Sequence, residues 1–174
     1  RTRLVAAVVP TIAGPVFLET VQSLTEALAE RGYQLMLGQS GYVANREDAL
    51  LAAIIGRRPD GIVLTGIMHS AEGRRRLMGA GIPVVEMWEL GGEPLDMAVG
   101  FSHPQVGAAA AQHLLSKGRR NLAFLGARMQ EDRRAAQRAA GFEEACVKSC
   151  TIVNHPGAAT VDAAANQIAQ SLWG

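Results

Sequence analysis

Thr11, Phe17, Gln39, Ser40, Thr65, Trp88 and Glu89 are polar or aromatic residues that each follow a short apolar run of the chain. Together they offer hydroxyls, amide groups, a carboxylate and ring faces, the mixture with which proteins hold small polyhydroxylated ligands. They do not make a reaction centre, because no nucleophile stands with a base and an orienting acid. A further candidate lies in "EDRRAAQRAAGFEEA" (131–145), where Arg134 and Arg138 are one helical turn apart. A guanidinium is a rigid fork of donors that suits a carboxylate or vicinal hydroxyls. Arg133 in the same stretch reads as surface charge, and Asp132 with Arg133 and Arg134 as a salt-bridged helix start.

An alternation of short strands and longer helices must position these residues. "LVAAVVP" (4–10) is a continuous, valine-rich apolar run, the mark of a strand buried on both faces. Residues 16–31 then place Phe17, Val21, Leu24 and Leu28 at helical spacing, and Gly32 ends the helix. Strands follow at 33–40, 61–66 and 82–89, with helices at 46–58, capped by Asn45, and at 71–81. Such repeated units predict a parallel sheet with right-handed crossovers and helices on both faces. In open parallel sheets the ligand sits at the carboxyl ends of the strands, where the polar and aromatic residues above fall.

After the turn-rich "LGGEPLD" (90–96) come a short strand at 97–101 and a helix at 104–118. A second series then runs through a strand at 121–127, a helix at 131–148, a strand near 151–154 and a helix at 161–173. Two strands do not make an independently stable sheet of this kind, so the second lobe is expected to be incomplete. The expected division is an N-terminal lobe over 1–102, a crossover helix over 103–118 and the first part of a C-terminal lobe over 119–174.

Composition narrows the function classes. With 48% hydrophobic and 19% charged residues, the chain has the make-up of a soluble globular protein. A net charge of +1 gives no general attraction to nucleic acid or to an anionic membrane. The clusters "GRRP", "GRRRL" and "GRRN" are expected at helix ends and turns, where they complement the helix dipole. Cys146 and Cys150, four residues apart at a helix end, read as reduced structural thiols. His69, His103, His113 and His155 lack metal-ligand spacing and read as isolated surface or loop residues, with His113 packed or solvated. No dinucleotide fingerprint, P-loop, export signal or membrane-spanning run is present, and no cofactor is expected.

The stretch from "LVAAVVPTIAGPVF" to "GIVLTG", with "GIPVVEMWE", "VGFSHPQVGAAAAQHLLSKGRRNLAFLGA" and "RRAAQRAAGFEEA", resembles the effector-sensing module of LacI/GalR-type bacterial transcriptional regulators. Within that family "PTIAGPVF" and "VGFSH" are most similar to the gluconate-utilisation repressors. The likeness covers essentially the whole chain. It implies an α/β fold of two lobes, like periplasmic sugar-binding proteins, with parallel Rossmann-like sheets. It also implies a helix-turn-helix headpiece outside these residues, so operator DNA is a partner only through a segment this chain lacks.

The resemblance places Arg138, in "RAAGF" (138–142), at the family's R-x-x-G-aromatic segment, whose arginine reaches the effector, and Arg134 could second it. Phe17 matches a pocket-lining aromatic residue after the first strand, with Thr11 beside it. Thr65 matches a polar side chain after the third strand. Gln39 departs from the basic residue of some members, and Trp88 from the acidic residue of several sugar-responsive ones. With two arginines and an aromatic ring in place of an acid, the implied effector is a sugar acid such as gluconate. The implied mechanism is a population shift in a cytoplasmic homodimer, with a hinge near 96–104. A sugar-binding protein of transport or chemotaxis without a DNA role is the alternative, and an α/β enzyme such as a sugar-modifying hydrolase a second rival.

Overall fold

The computed structural model describes residues 1–13, 15–41, 44–67, 69–146, 150–156 and 166. The chain divides into two compact units, Arg1–Phe101 and Ser102–Gly174.

In the first unit, strands β1 (Leu4–Val9), β2 (Gln34–Gln39), β3 (Gly61–Thr65), β4 (Val84–Met87) and β5 (Met97–Val99) form one parallel sheet. Helices α1 (Pro15–Ala29), α2 (Ala44–Gly56) and α3 (Ala71–Ala80) connect the first four strands. The strand order β2-β1-β3-β4-β5 puts the most apolar strand at the interior, where both its faces are covered. Its side chains accordingly alternate between two cores. Ala6 and Val8 pack with Leu51, Ile54, Leu64 and Leu77 on the α2/α3 side, while Ala7 and Val9 pack with Val63 and Met87 near Val21 and Leu24 of α1.

Strand β4 follows the same alternation, with one exception in chemistry. Val84 joins the α2/α3 core and Val85 and Met87 lie against the other, but the residue between them is Glu86, which is wholly buried. A carboxylate can sit there only with partners, and it has them (below). The connection from β4 to β5 holds no helix. Its backbone instead zips against the end of β5, where Trp88 N–H donates to Val99 C=O and Leu90 N–H to Phe101 C=O. Gly100 permits this approach, since a Cβ there would overlap the Glu89 backbone.

In the second unit, α4 (His103–Ser116), β6 (Ala123–Ala127), α5 (Arg133–Ala145) and β7 (Thr151–His155) build a parallel two-stranded sheet with a helix pair. Its core is Ala111, Leu122 and Phe142, with Phe124 and Ile152 packed around them. The helices cross at glycines. A Cβ on Gly107 of α4 would overlap the Arg138 carbonyl oxygen, and one on Gly141 of α5 would overlap that of Pro104. The backbones are therefore in direct contact at this crossing.

Several local expectations change. Helix α2 begins at Ala44, so Asn45 lies inside it and does not cap it. Helix α5 ends at Ala145, with Cys146 as its C-cap. Arg74–Arg76 lie within α3 and not at its end, and Glu72 pairs with Arg75 and Arg76 at 2.5 and 2.7 Å. The helix expected at 161–173 lies outside the described residues apart from Asn166, which is helical.

Candidate functional site

In the first unit the carboxyl ends of the strands carry the expected residues, already engaged with one another. Thr11 Oγ1 accepts a hydrogen bond from Ala13 N–H at 3.0 Å, and the Gln39 side-chain oxygen accepts from Ile12 N–H at 3.3 Å. Gln39 thus braces the loop that carries Thr11, and its amide nitrogen is the group left to present. Thr65 is turned inward, its hydroxyl donating to Val8 C=O at 3.1 Å.

Phe17, only 4% exposed in the first turn of α1, meets Trp88 edge-on with ring centroids 5.1 Å apart. Trp88 in turn meets Phe101 at 5.7 Å and donates from Nε1 to Thr20 Oγ1 at 3.3 Å. The Trp88 backbone is left-handed (φ 71°), an uncommon state for a bulky residue that the zipped Val99 carbonyl helps to hold. A groove of about 370 Å³ runs beside these rings, lined by Thr20, Leu24, Val63, Met87, Trp88 and Phe101. Its apolar walls suit packing and not a polyhydroxylated guest, and neither Thr11, Gln39 nor Thr65 lines it. The first unit therefore joins Phe17 to Trp88 and Gln39 to the Thr11 loop. Phe101, absent from the sequence expectation, completes the aromatic row.

Two histidines expected to be isolated surface or loop residues have buried side chains with partners, which corrects the isolation, although His69 does lie in a loop. His69 has no exposed side-chain surface and lies between two carboxylates, Nδ1 at 2.5 Å from Glu47 Oε1 and Nε2 at 3.0 Å from Glu86 Oε1. Burial alone would lower its pKa, but hydrogen bonds and charge from Glu47 and Glu86 outweigh that and hold it above the usual histidine value. Glu86 Oε2 also accepts from Leu95 N–H at 2.7 Å, so the cluster ties α2, the β3–α3 loop, β4 and the β4–β5 connection together. Beside it, Ser70 caps α3 through Gly73 N–H and donates to Asp48 Oδ1 at 2.7 Å. The sequence held a signal for this: Glu86 is a lone acid in a strand otherwise apolar on both faces.

His103 is the second case. It opens α4 directly after the capping Ser102, is 1% exposed, and its Nδ1 lies 3.0 Å from Arg138 Nη1. Arg138 is half-buried, whereas Arg133 in the same helix is exposed. Arg134 turns back on the start of α5, its Nε 3.6 Å from Asp132 Oδ1, and Asp132 caps the helix through Arg134 and Ala135 N–H. Helix α5 thus separates its arginines into a surface charge, a helix-start partner and one guanidinium fixed by a buried ring. His113 is exposed. Among the described residues, no group of three His, Cys, Asp or Glu side chains is arranged to hold a metal ion. No described helix is long and apolar enough to cross a membrane.

The folds and sequences of known proteins agree on one relationship. The family described as periplasmic binding proteins and sugar binding domain of LacI family matches residues 2–172. The HTH-type transcriptional regulator GntR of Pseudomonas aeruginosa is 37% identical over 149 residues, 86% of this chain and 43% of its own length. The regulator of the same name from Escherichia coli K12 is 31% identical over 83% of this chain and 43% of its own. Among solved structures, the transcription regulator GntR from Chromobacterium violaceum superposes with a TM-score of 0.89 at 35% identity, over 97% of this chain and 63% of that one. This chain spans less than half the length of the curated relatives it matches. The two parallel α/β units, with the match over nearly every residue, place the chain in the family of periplasmic binding proteins and LacI-type sugar-binding domains.

Proposed function

We propose that the chain is part of the ligand-sensing core of a bacterial transcription repressor that answers to a sugar acid of the gluconate type. The relatives named GntR, and one named IdnR that is 28% identical, are HTH-type transcriptional regulators, which supports a regulatory role. The observation that carries the ligand class is Arg138, a half-buried guanidinium fixed by His103 in the R-x-x-G-aromatic segment. A cation held in one geometry favours an anionic, oxygen-rich effector over a neutral hexose. In the first unit Thr11 and Gln39 offer polar contacts and Trp88, seated against Phe17, ring surface; the Thr65 hydroxyl and Arg134 are engaged by Val8 C=O and Asp132.

The protein acts by binding and not by turnover. Effector binding favours one of two arrangements of the regulator and so changes operator affinity, which a headpiece outside these residues supplies. The working form is a cytoplasmic homodimer, as two-fold operators demand.

Calorimetry on the full-length protein with gluconate, 6-phosphogluconate and a neutral hexose tests this. A sugar acid should bind best, and Arg138→Ala should weaken it roughly tenfold or more while Arg133→Ala does not. Equal binding by wild type and Arg138→Ala would remove the assignment, and consumption of any sugar acid would revive an enzyme.

A further inference from the structure

We infer that His103 is a positioning residue for Arg138: the buried imidazole at the start of α4 fixes the guanidinium through Nδ1 and so sets effector affinity without touching the effector. This rests on the proposed effector role of Arg138. The α4–α5 crossing is what brings the two residues together. His103, Gly107 and Ala111 form one buried stripe of α4 at i, i+4 and i+8. On α5, Arg138 stands one turn before Gly141 and Phe142, both buried. Because the glycines let the helix backbones touch, the first turn of α4 reaches the Arg138 side chain. A wider crossing would leave the ring and the guanidinium apart.

The chemistry of the contact has one solution. Arginine carries donors only, so Arg138 Nη1 donates and His103 Nδ1 accepts with its lone pair. The ring therefore carries its proton on Nε2 and no charge. A neutral ring also suits the helix N-terminus, where the backbone N–H groups already present partial positive charge. At 1% exposure the His103 ring is enclosed, so turning it away from Arg138 would disrupt its packing.

Arginine is rich in rotamers, and ordering such a side chain on binding weakens affinity by roughly two- to tenfold. A guanidinium already seated on a buried ring has met most of that cost before the ligand arrives. The remaining N–H donors keep a fixed direction for a carboxylate or a vicinal diol.

The test is a double-mutant cycle on the full-length protein, read by calorimetry with gluconate and 6-phosphogluconate. His103→Leu should weaken binding roughly three- to tenfold, by the cost of ordering a free arginine. His103→Asn, whose amide oxygen can accept in place of Nδ1, should recover most of that loss. In an Arg138→Ala background, His103→Leu should cause no further loss. Long-range ¹H–¹⁵N spectra should show His103 Nδ1 unprotonated in wild type and its shift moved by Arg138→Ala but not by Arg133→Ala. The inference is overturned if His103→Leu binds like wild type, or if its loss persists in full without Arg138. If Arg138→Ala itself leaves affinity unchanged, the effector reading has failed instead, and the ring spectra still report whether the contact exists.

Discussion

Glu86, wholly buried on an interior strand, accepts a 3.0 Å hydrogen bond from His69 Nε2, and the same ring reaches Glu47 through Nδ1. Both ring nitrogens face carboxylates, so the cluster is best satisfied when the imidazole carries both protons. Charge buried in this way is tolerable only while every partner remains. Among the described residues, removing the ring leaves the Glu86 carboxylate with the Leu95 N–H and no cation. His69→Ala should accordingly destabilise the first unit by about 3 kcal/mol at neutral pH.

The pH dependence follows from the direction of the His69 shift. Burial opposes protonation, but the two glutamates overcome it, so the folded pKa lies above the unfolded one of about 6.5. The folded state then binds more protons than the unfolded state in the window between those two values. Stability from His69 is fully present below about pH 6.5 and is lost as pH rises through the folded value. Urea midpoints for wild type and His69→Gln at pH 6 and pH 9 check this. The difference between the two proteins should shrink at pH 9, and a constant or widening difference would contradict it.

The glycine crossing in the second unit makes a prediction with its own control. Alanine replacing glycine inside a helix normally stabilises by about 0.5–1 kcal/mol. At Gly79 of α3 nothing lies within 4 Å of the added Cβ, so Gly79→Ala should show that gain. At Gly141 the Cβ would overlap the Pro104 carbonyl oxygen, a backbone atom that cannot rotate away. Gly141→Ala should therefore destabilise by about 1–3 kcal/mol, the cost of overpacking. Thermal melts of the two variants, moving in opposite directions, would establish the point.

Trp88 divides its role between ring and N–H, and two substitutions separate them. Trp88→Phe keeps an aromatic ring for Phe17 and Phe101 but loses the donor to Thr20 Oγ1. Thr20→Val loses the same bond from the other side. Each should cost about 1 kcal/mol, the net worth of one such hydrogen bond. The double variant should cost little more than the larger single one if the bond is their shared cause. Denaturant titration of all three decides this, and full additivity would separate the residues.

The architecture was legible because its signal is spread over many residues. "LVAAVV", a continuous apolar run ahead of an amphipathic helix, has the signature of an interior parallel strand, and it lies between β2 and β3. Arg138 was legible through its motif, and its separation from Arg133 through helical spacing. The partners were not, since Glu47, His69 and Glu86 lie on three different elements and only the fold brings them together. His103 and Arg138 are 35 residues apart, and the glycines that join them look like ordinary weak points of an Ala-rich helix. Asn45 misled because a residue with capping chemistry preceded the apolar pattern, yet the helix begins one residue before it.

Cys150 gives a prediction in which two effects oppose each other. Its thiol is pushed up to about 11, first by burial and then by its hydrogen bond and charge interaction with Cys146 and by Glu143. The Cys146 thiol itself donates to Phe142 C=O at 3.2 Å at the end of α5. At pH 8 a free cysteine with a pKa of about 8.5 is roughly one-quarter thiolate, and one at 11 about a thousandth. That lowers the reactive fraction about two-hundredfold. The more basic thiolate is a better nucleophile, which returns roughly a factor of ten. Alkylation by iodoacetamide at pH 8 should thus be about twentyfold slower at Cys150 than for a free thiol, and should accelerate about tenfold per pH unit up to pH 10. A Cys146→Ser variant should react faster at Cys150, because it removes one group that opposes the thiolate. Rates read by mass spectrometry at each cysteine measure both effects, and a rate at Cys150 equal to that of free cysteine would show the thiol to be unperturbed.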